Sequence, residues 1–160
     1  MDKTIRDRAL QHFPYGLYVV GAVNGRAVAT IVANWATQVS FSPALVAIAI
    51  EHDSRMRAHI EMSGFFSINM LPPNKTEIAR SFVKPRETNG NDISGRRFER
   101  AKNGTPFLHD AVACIECRVV HAYPAGDHLV FVGEVTDAMI HKDGRGEVLT
   151  LRQTGWRYHR

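Results

Sequence analysis

Residues 15–35, YGLYVVGAVNGRAVATIVANW, set two β-branched and aromatic runs on either side of Asn24-Gly25. An Asn-Gly pair tolerates the positive φ angles of a two-residue hairpin turn, whose twist matches that of the flanking strands. The stretch therefore predicts two antiparallel strands. Just beyond it, residues 30–43, TIVANWATQVSFSP, keep the β-prone composition but insert Asn34, Trp35, Thr37, Gln38 and Ser40. A strand with one wet face places polar groups at every second position. Asn34, Thr37, Gln38 and Ser40 break that period, which points to a strand end, a bulge or the rim of a ligand site.

The next run, ALVAIAIE (residues 44–51), is almost unbroken in its apolar character and predicts a strand buried on both faces, joined to its predecessor through Pro43. A short helix follows over DSRMRAHIEMSG, with Asp53 or Ser54 as its cap, Met56, Ile60 and Met62 as its apolar positions, and Gly64 as its stop. After a strand at FFSINML, a second helix over NKTEIARSFVK carries Ile78, Ala79 and Phe82 inward until Pro85 breaks it. The polar, glycine-containing stretch PRETNGNDISGRR reads as a mobile loop or an excursion over a site. ACIECRVVHAY and HLVFVGEVTDAMI are two long strand patterns around a tight turn at PAGD, and GEVLTLR offers a last strand. Six or more strands, mostly hairpin-linked and accompanied only by short helices, predict a mainly β fold: an antiparallel split β-barrel with short flanking helices. No repeat or linker interrupts residues 1–160, so one domain is expected.

Composition narrows the function. With 44% hydrophobic and 22% charged residues the chain is ordinary for a soluble globular protein, and no apolar run is long enough to cross a bilayer. MDKTIRDRALQHFP lacks the apolar stretch of a signal peptide, so a cytoplasmic location and no membrane partner are expected. The net charge of +4 comes from Lys and Arg scattered among Asp and Glu. That pattern describes a mixed solvated surface better than a nucleic-acid face, and it leaves room for a local phosphate site. Cys114 and Cys117 form CIEC without a second ligand pair, and residues three apart in a strand point to opposite faces, which disfavours a metal site or a mutual bridge. GxGxxG following a strand, GxxxxGK[ST], HExxH and GxSxG are all missing.

What remains is the polar stretch ahead of an apolar strand and HDSRMR at a helix start. Ser54, Arg55 and Arg57 could join helix N–H groups on a phosphate, although capping and solvation alone also account for them. Asn34, Thr37 and Ser40 could bond a planar heterocycle packed beside Trp35.

These segments jointly resemble the flavin reductase-like family of FMN-binding split barrels, in the branch of flavoredoxin-like proteins and NAD(P)H:flavin oxidoreductases. PYGLYVVGAVNG resembles its first hairpin, IVANWATQVSFSPALVAIAI its flavin-binding strand pair, and DSRMRAHIEMSGFFSINML the following helix and strand. GTPFLHDAVACIECRVV, AGDHLVFVGEV, FVKP and LTLRQTGWRY complete the likeness. The resemblance implies a homodimer binding FMN, with NADH or NADPH as co-substrate and a monooxygenase or other electron-acceptor protein downstream. By position, Ala33, Asn34, Trp35, Ala36 and Thr37 would run along the flavin with Ser40 beside them. Ser54 and Arg55 would meet the phosphate, Phe82 and Lys84 would close that end, and His128 of GDH would sit by the flavin or nicotinamide. Phe98 is followed by ERAKNGTPFL, where the family places a hydrophobic segment, so the match is partial there. A non-catalytic FMN carrier is the alternative implied by the same resemblance, and a nucleic-acid-binding barrel ranks last.

Overall fold

The computed structural model describes residues 2–141 and 146–157. A short helix, α1 (Lys3–Leu10), is capped by Asp2, whose side chain accepts from Thr4 N, and buries none of its residues. The hairpin follows as the sequence predicts: β1 (Tyr18–Asn24) and β2 (Ala27–Ala33) pair antiparallel around Gly25. Then come β3 (Ala36–Ser40), β4 (Leu45–Glu51), α2 (Arg55–Ser63), β5 (Phe65–Met70) and α3 (Thr76–Ser81). The chain continues through β6 (Arg86–Thr88), β7 (Asp92–Ile93), β8 (Arg96–Arg100), β9 (Pro106–Leu108), β10 (Ala113–Ala125), β11 (His128–Ile140) and α4 (Leu151–Thr154). One antiparallel sheet has the order β3-β4-β11-β10-β5-β1-β2-β6, and β7, β8 and β9 form a second.

The sheet is not closed by hydrogen bonds, yet it is rolled. β2 and β3 stand near opposite ends of its strand order, while only Asn34 and Trp35 connect them. Three residue steps reach at most about 11 Å. The two ends must therefore curl to within that distance, which is the geometry of a split barrel. Its long ribbon, β10 with β11, joins β5 on one side to β4 on the other. Close approach at its centre requires glycine, because a Cβ on Gly133 would meet Cys117 Cβ and Phe66 Cε1 at 2.7 Å.

Alternation along the strands feeds two apolar clusters on the two faces of the sheet. Val19 and Val28 join Leu71, Ile78, Phe82, Phe98 and Phe107. Their neighbours Val20 and Ala29 join Ile48, Met56, Ile60, Phe66 and Phe131. Buried polar groups tie the segment before and through β9 to the sheet. The fully buried Glu116 carboxylate accepts from Asn103 N at 3.0 Å, Asn103 Nδ2 at 2.8 Å and Thr105 Oγ1 at 2.6 Å. Asn69 Oδ1 accepts from Leu108 N at 2.7 Å, and Ser67 Oγ donates to Pro106 O at 2.8 Å.

Four expectations change. In β4 only Val46, Ile48 and Ile50 are buried, and Leu45, Ala47 and Ala49 stay half-exposed, because α2 and its cluster cover one face alone. In α2 the inward residues are Met56, His59 and Ile60, at helical spacing, whereas Met62 falls outside that stripe and is exposed. Of the two readings of PRETNGNDISGRR, the mobile loop gives way: the stretch folds as β6, β7 and the start of β8, anchored by buried Ile93, by Phe98 just beyond it and by an Asp92 carboxylate that accepts from Gly95 N. GEVLTLR is not a strand beyond a single bridge from Thr150 to Gly16. Thr150 instead opens α4 with a reciprocal capping box to Gln153, and Gly155 stops it in the left-handed region.

Cys114 and Cys117 are free, buried and assigned to different clusters, as opposite strand faces require. Burial pushes both thiols up to about 12. Below pH 9, the ordinary value, both are neutral in either state. Above it the unfolded chain sheds protons that the fold retains, so stability declines as pH rises from about 9 toward 12. A thiol reagent at pH 8 should label neither cysteine in the native protein and both in denaturant; fast native labelling would contradict the burial.

Candidate active site

At the split, β2 ends and the chain crosses to β3. Asn34 is nearly buried there, and its Nδ2 has no hydrogen-bond partner within the protein. An amide donor in that state carries a desolvation cost that no protein group offsets, which marks a place meant for an outside acceptor. Trp35 O accepts from Ala49 N at 2.9 Å, fixing the start of the second strand. The Trp35 ring packs on His128, with centroids 4.6 Å apart. His128 opens β11, is buried, and has its Nδ1 2.5 Å from Asp127 Oδ1. Asp127 thus sets the ring's orientation and leaves Nε2 as the other hydrogen-bonding atom of the imidazole. Tyr15 also approaches Trp35, tilted, at 6.4 Å between centroids.

Beyond Trp35, Ala36 and Thr37 border a depression of about 480 Å³ whose floor includes Leu45, Ile68, Met70 and Ile115. Ser40 lies opposite Leu45, past a register shift that follows Gln38. The broken polar period of the sequence is thus a crossover followed by an irregular edge strand. Ala33 is the last residue of β2 and is half-buried.

A second region lies beside the middle of β2, around Thr30. Ser54 caps α2, its Oγ accepting from Met56 N at 3.2 Å, so capping is its observed role. Arg55 is largely exposed and reaches Glu87 Oε2 at 3.5 Å. Arg57 turns away to Glu61 and His52 O. Between α2 and β6 is a cleft of about 260 Å³ lined by Thr30, Arg55, His59 and Arg86 among others. Thr30 Oγ1 and His59 Nδ1 are both buried without a partner. Lys84 is exposed and borders a wider neighbouring cleft. Phe82 is wholly buried in the first apolar cluster, so it backs the region from the core and does not itself line a surface. The structure brings Asn34, Trp35 and His128 together, and sets Ser54, Arg55 and Lys84 apart from them along β2 and β6. Thr30, His59 and Arg86 were not anticipated: a threonine in a β-prone run and a histidine on a helix's inner face look like core in a sequence.

Residues 10–159 match the model of the flavin reductase like domain. The chain belongs to the flavin reductase-like family. It is 32% identical over 143 residues to an NADH-dependent FAD reductase of Streptomyces globisporus, covering 86% of this chain and 76% of that one. To an NADH-dependent FMN reductase of Streptomyces nodosus subsp. asukaensis it is 30% identical over 131 residues, covering 81% and 71%. Its fold superposes with a TM-score of 0.80, at 27% identity, on the flavin reductase component of a bacterial two-component tryptophan halogenase, covering 96% of this chain and 95% of that one. Diflavin flavoproteins of Nostoc and Synechocystis also match, and this flavin reductase-like chain spans about a quarter of their length. Among its described residues, no helix is long and apolar enough to cross a membrane.

The partnerless polar atoms of this flavin reductase-like chain carry a test that needs no ligand. Thr30→Val replaces a wholly buried, unbonded hydroxyl by a methyl of the same shape. It should raise the stability of the ligand-free protein by about 1 kcal/mol in urea denaturation. A loss of that size would show that the hydroxyl is bonded in solution.

Proposed function

We propose that the chain is a flavin reductase that oxidises NADH or NADPH and delivers reduced flavin, or its electrons, to a partner such as a monooxygenase. It would work in the cytoplasm as a homodimer of one-domain subunits. The observation that carries the reading is Asn34 Nδ2, a buried donor without a protein partner, placed beside the Trp35–His128 pair in the split of the barrel. An acceptor on the edge of a flavin ring would satisfy it.

A bound flavin supplies the two-electron chemistry. The chain's part is to bind and orient. Ala33, Asn34, Trp35, Ala36, Thr37 and Ser40 would edge the ring system of the FMN moiety. Ser54 and Arg55 would face the phosphate, and Lys84, with Phe82 behind it in the core, would close that end. His128, held by Asp127, would position the nicotinamide or tune the charge next to the ring, and no proton transfer is asked of it. The half-exposed face of β4, together with Val39 and Phe41 (51% and 91% exposed), gives an apolar surface that a second copy would cover.

Purified protein should show flavin absorbance or take up added FMN, and should oxidise NADH or NADPH in a flavin-dependent way. Asn34→Leu should weaken flavin binding about tenfold with little change in stability. Tightly held FMN without oxidation of either nucleotide would replace this reading by the electron carrier. A variant that unfolds, with normal binding by its folded fraction, would make Asn34 structural.

A further inference from the structure

Resting on the flavin reading, we infer that Glu87 sets how strongly the chain grips the phosphate of a flavin, holding the affinity for FMN down so that the flavin can be exchanged. The site is the cleft of about 260 Å³ between α2 and β6, where Glu87 is the one carboxylate among the described residues that line it, beside Arg55 and His59. Cations and helix N–H groups strengthen the hold on a phosphate, and an acid facing the same hollow weakens it.

Pairing between β6 and β2 puts Glu87 opposite Ala29, and Ala29 belongs to the cluster that also contains Met56 and Ile60 of α2. Directly opposed residues share a face of the sheet, so the Glu87 side chain rises on the α2 side. Two groups meet it there. Asn24 Nδ2 donates to Glu87 Oε1 at 2.5 Å, and Arg55 reaches Oε2 at 3.5 Å. Arg55 is the first residue of α2, so the carboxylate holds the cation that stands at the positive end of the helix. That cation is the one assigned above to the phosphate. A phosphate must draw Arg55 away from Glu87 or share it, and either way it faces a second negative charge.

The geometry favours exchange of Arg55 over departure of Glu87. The Arg55 side chain is 77% exposed and its contact is long, whereas Glu87 is 32% exposed and is also fixed by Asn24. His59, 8% exposed, lines the same cleft with Nδ1 unpartnered, so a ligand has a bonding position there besides Arg55. Repulsion from Glu87 acts on the phosphate and leaves the ring system alone. Glu87 therefore narrows the margin by which the chain prefers FMN to riboflavin, the same flavin without the phosphate.

The test measures equilibrium binding of FMN and of riboflavin to the full chain, as wild type, as Glu87→Gln and as Arg55→Gln. Glutamine keeps the acceptor that Asn24 uses and removes only the charge. FMN should bind Glu87→Gln about fivefold more tightly, the scale of one exposed charge contact, while riboflavin changes less than twofold. High salt should shrink the gain. Arg55→Gln should weaken FMN and spare riboflavin. Unchanged or weaker FMN binding by Glu87→Gln overturns the inference. Equal tightening of both flavins makes the ion pair a tie between α2 and β6 and overturns it too. If Arg55→Gln leaves FMN unchanged, the phosphate lies elsewhere, and this inference falls while the flavin reading stands. If the wild type binds neither flavin, the flavin reading itself falls, and this inference with it.

Discussion

Two residues bridging the ends of an eight-stranded sheet impose the geometry on which the rest of the molecule depends. Because Asn34 and Trp35 must carry the chain from β2 to β3, the sheet cannot lie open. It rolls until its margins nearly meet, and the seam is left without a ladder. Backbone and side-chain polar groups at a seam lack the partners that a sheet interior provides. Trp35 O regains one from Ala49 N, while Asn34 Nδ2 does not. The same curl sets the Trp35 ring against His128, which enters from the turn between β10 and β11. Fold closure and site formation are thus one event.

The distribution of buried polar groups separates structure from function. Glu116, Asn69 and Ser67 are as buried as any residue in the chain, and each is hydrogen-bonded to the segment around β9. Their hydrogen bonds offset part of the cost of burial and hold a connection in place. Asn34 Nδ2, Thr30 Oγ1, His59 Nδ1, Ser94 Oγ and His141 Nε2 are buried with nothing to bond. The first four belong to the crossover or to residues lining the two clefts that meet at Arg86, whereas His141 lines neither cleft. Unmet hydrogen-bonding capacity in which four of five atoms cluster is how a binding site shows itself before its ligand arrives.

Much of the fold was legible in the sequence because it rests on local physics. Asn24-Gly25 dictates its own turn, Ser54 and Gly64 mark the two ends of α2, and alternation identifies β10 and β11. The errors came where tertiary context overrides local preference. GEVLTLR has strand propensity, but Thr150 and Gln153 cap a helix. PRETNGNDISGRR is polar enough for a loop, but Ile93 and Phe98 pin it to the core. β4 is apolar on both sides, but only one of them faces the cluster of Val20, Met56, Ile60, Phe66 and Phe131. For the site, the broken period around Asn34 was a readable signal. Arg86 and His59 meet only because β6 pairs with β2 beneath α2, and no pattern within either segment records that.

The partnerless amide of Asn34 at the seam is where a bound flavin would make itself felt. Nitrogen-15 NMR of the Asn34 side-chain amide during flavin titration tests this directly. On flavin binding this amide should shift in proportion to occupancy and become protected from solvent exchange. A protein that saturates with flavin while the Asn34 amide keeps its free-state shift and exchange rate would contradict it.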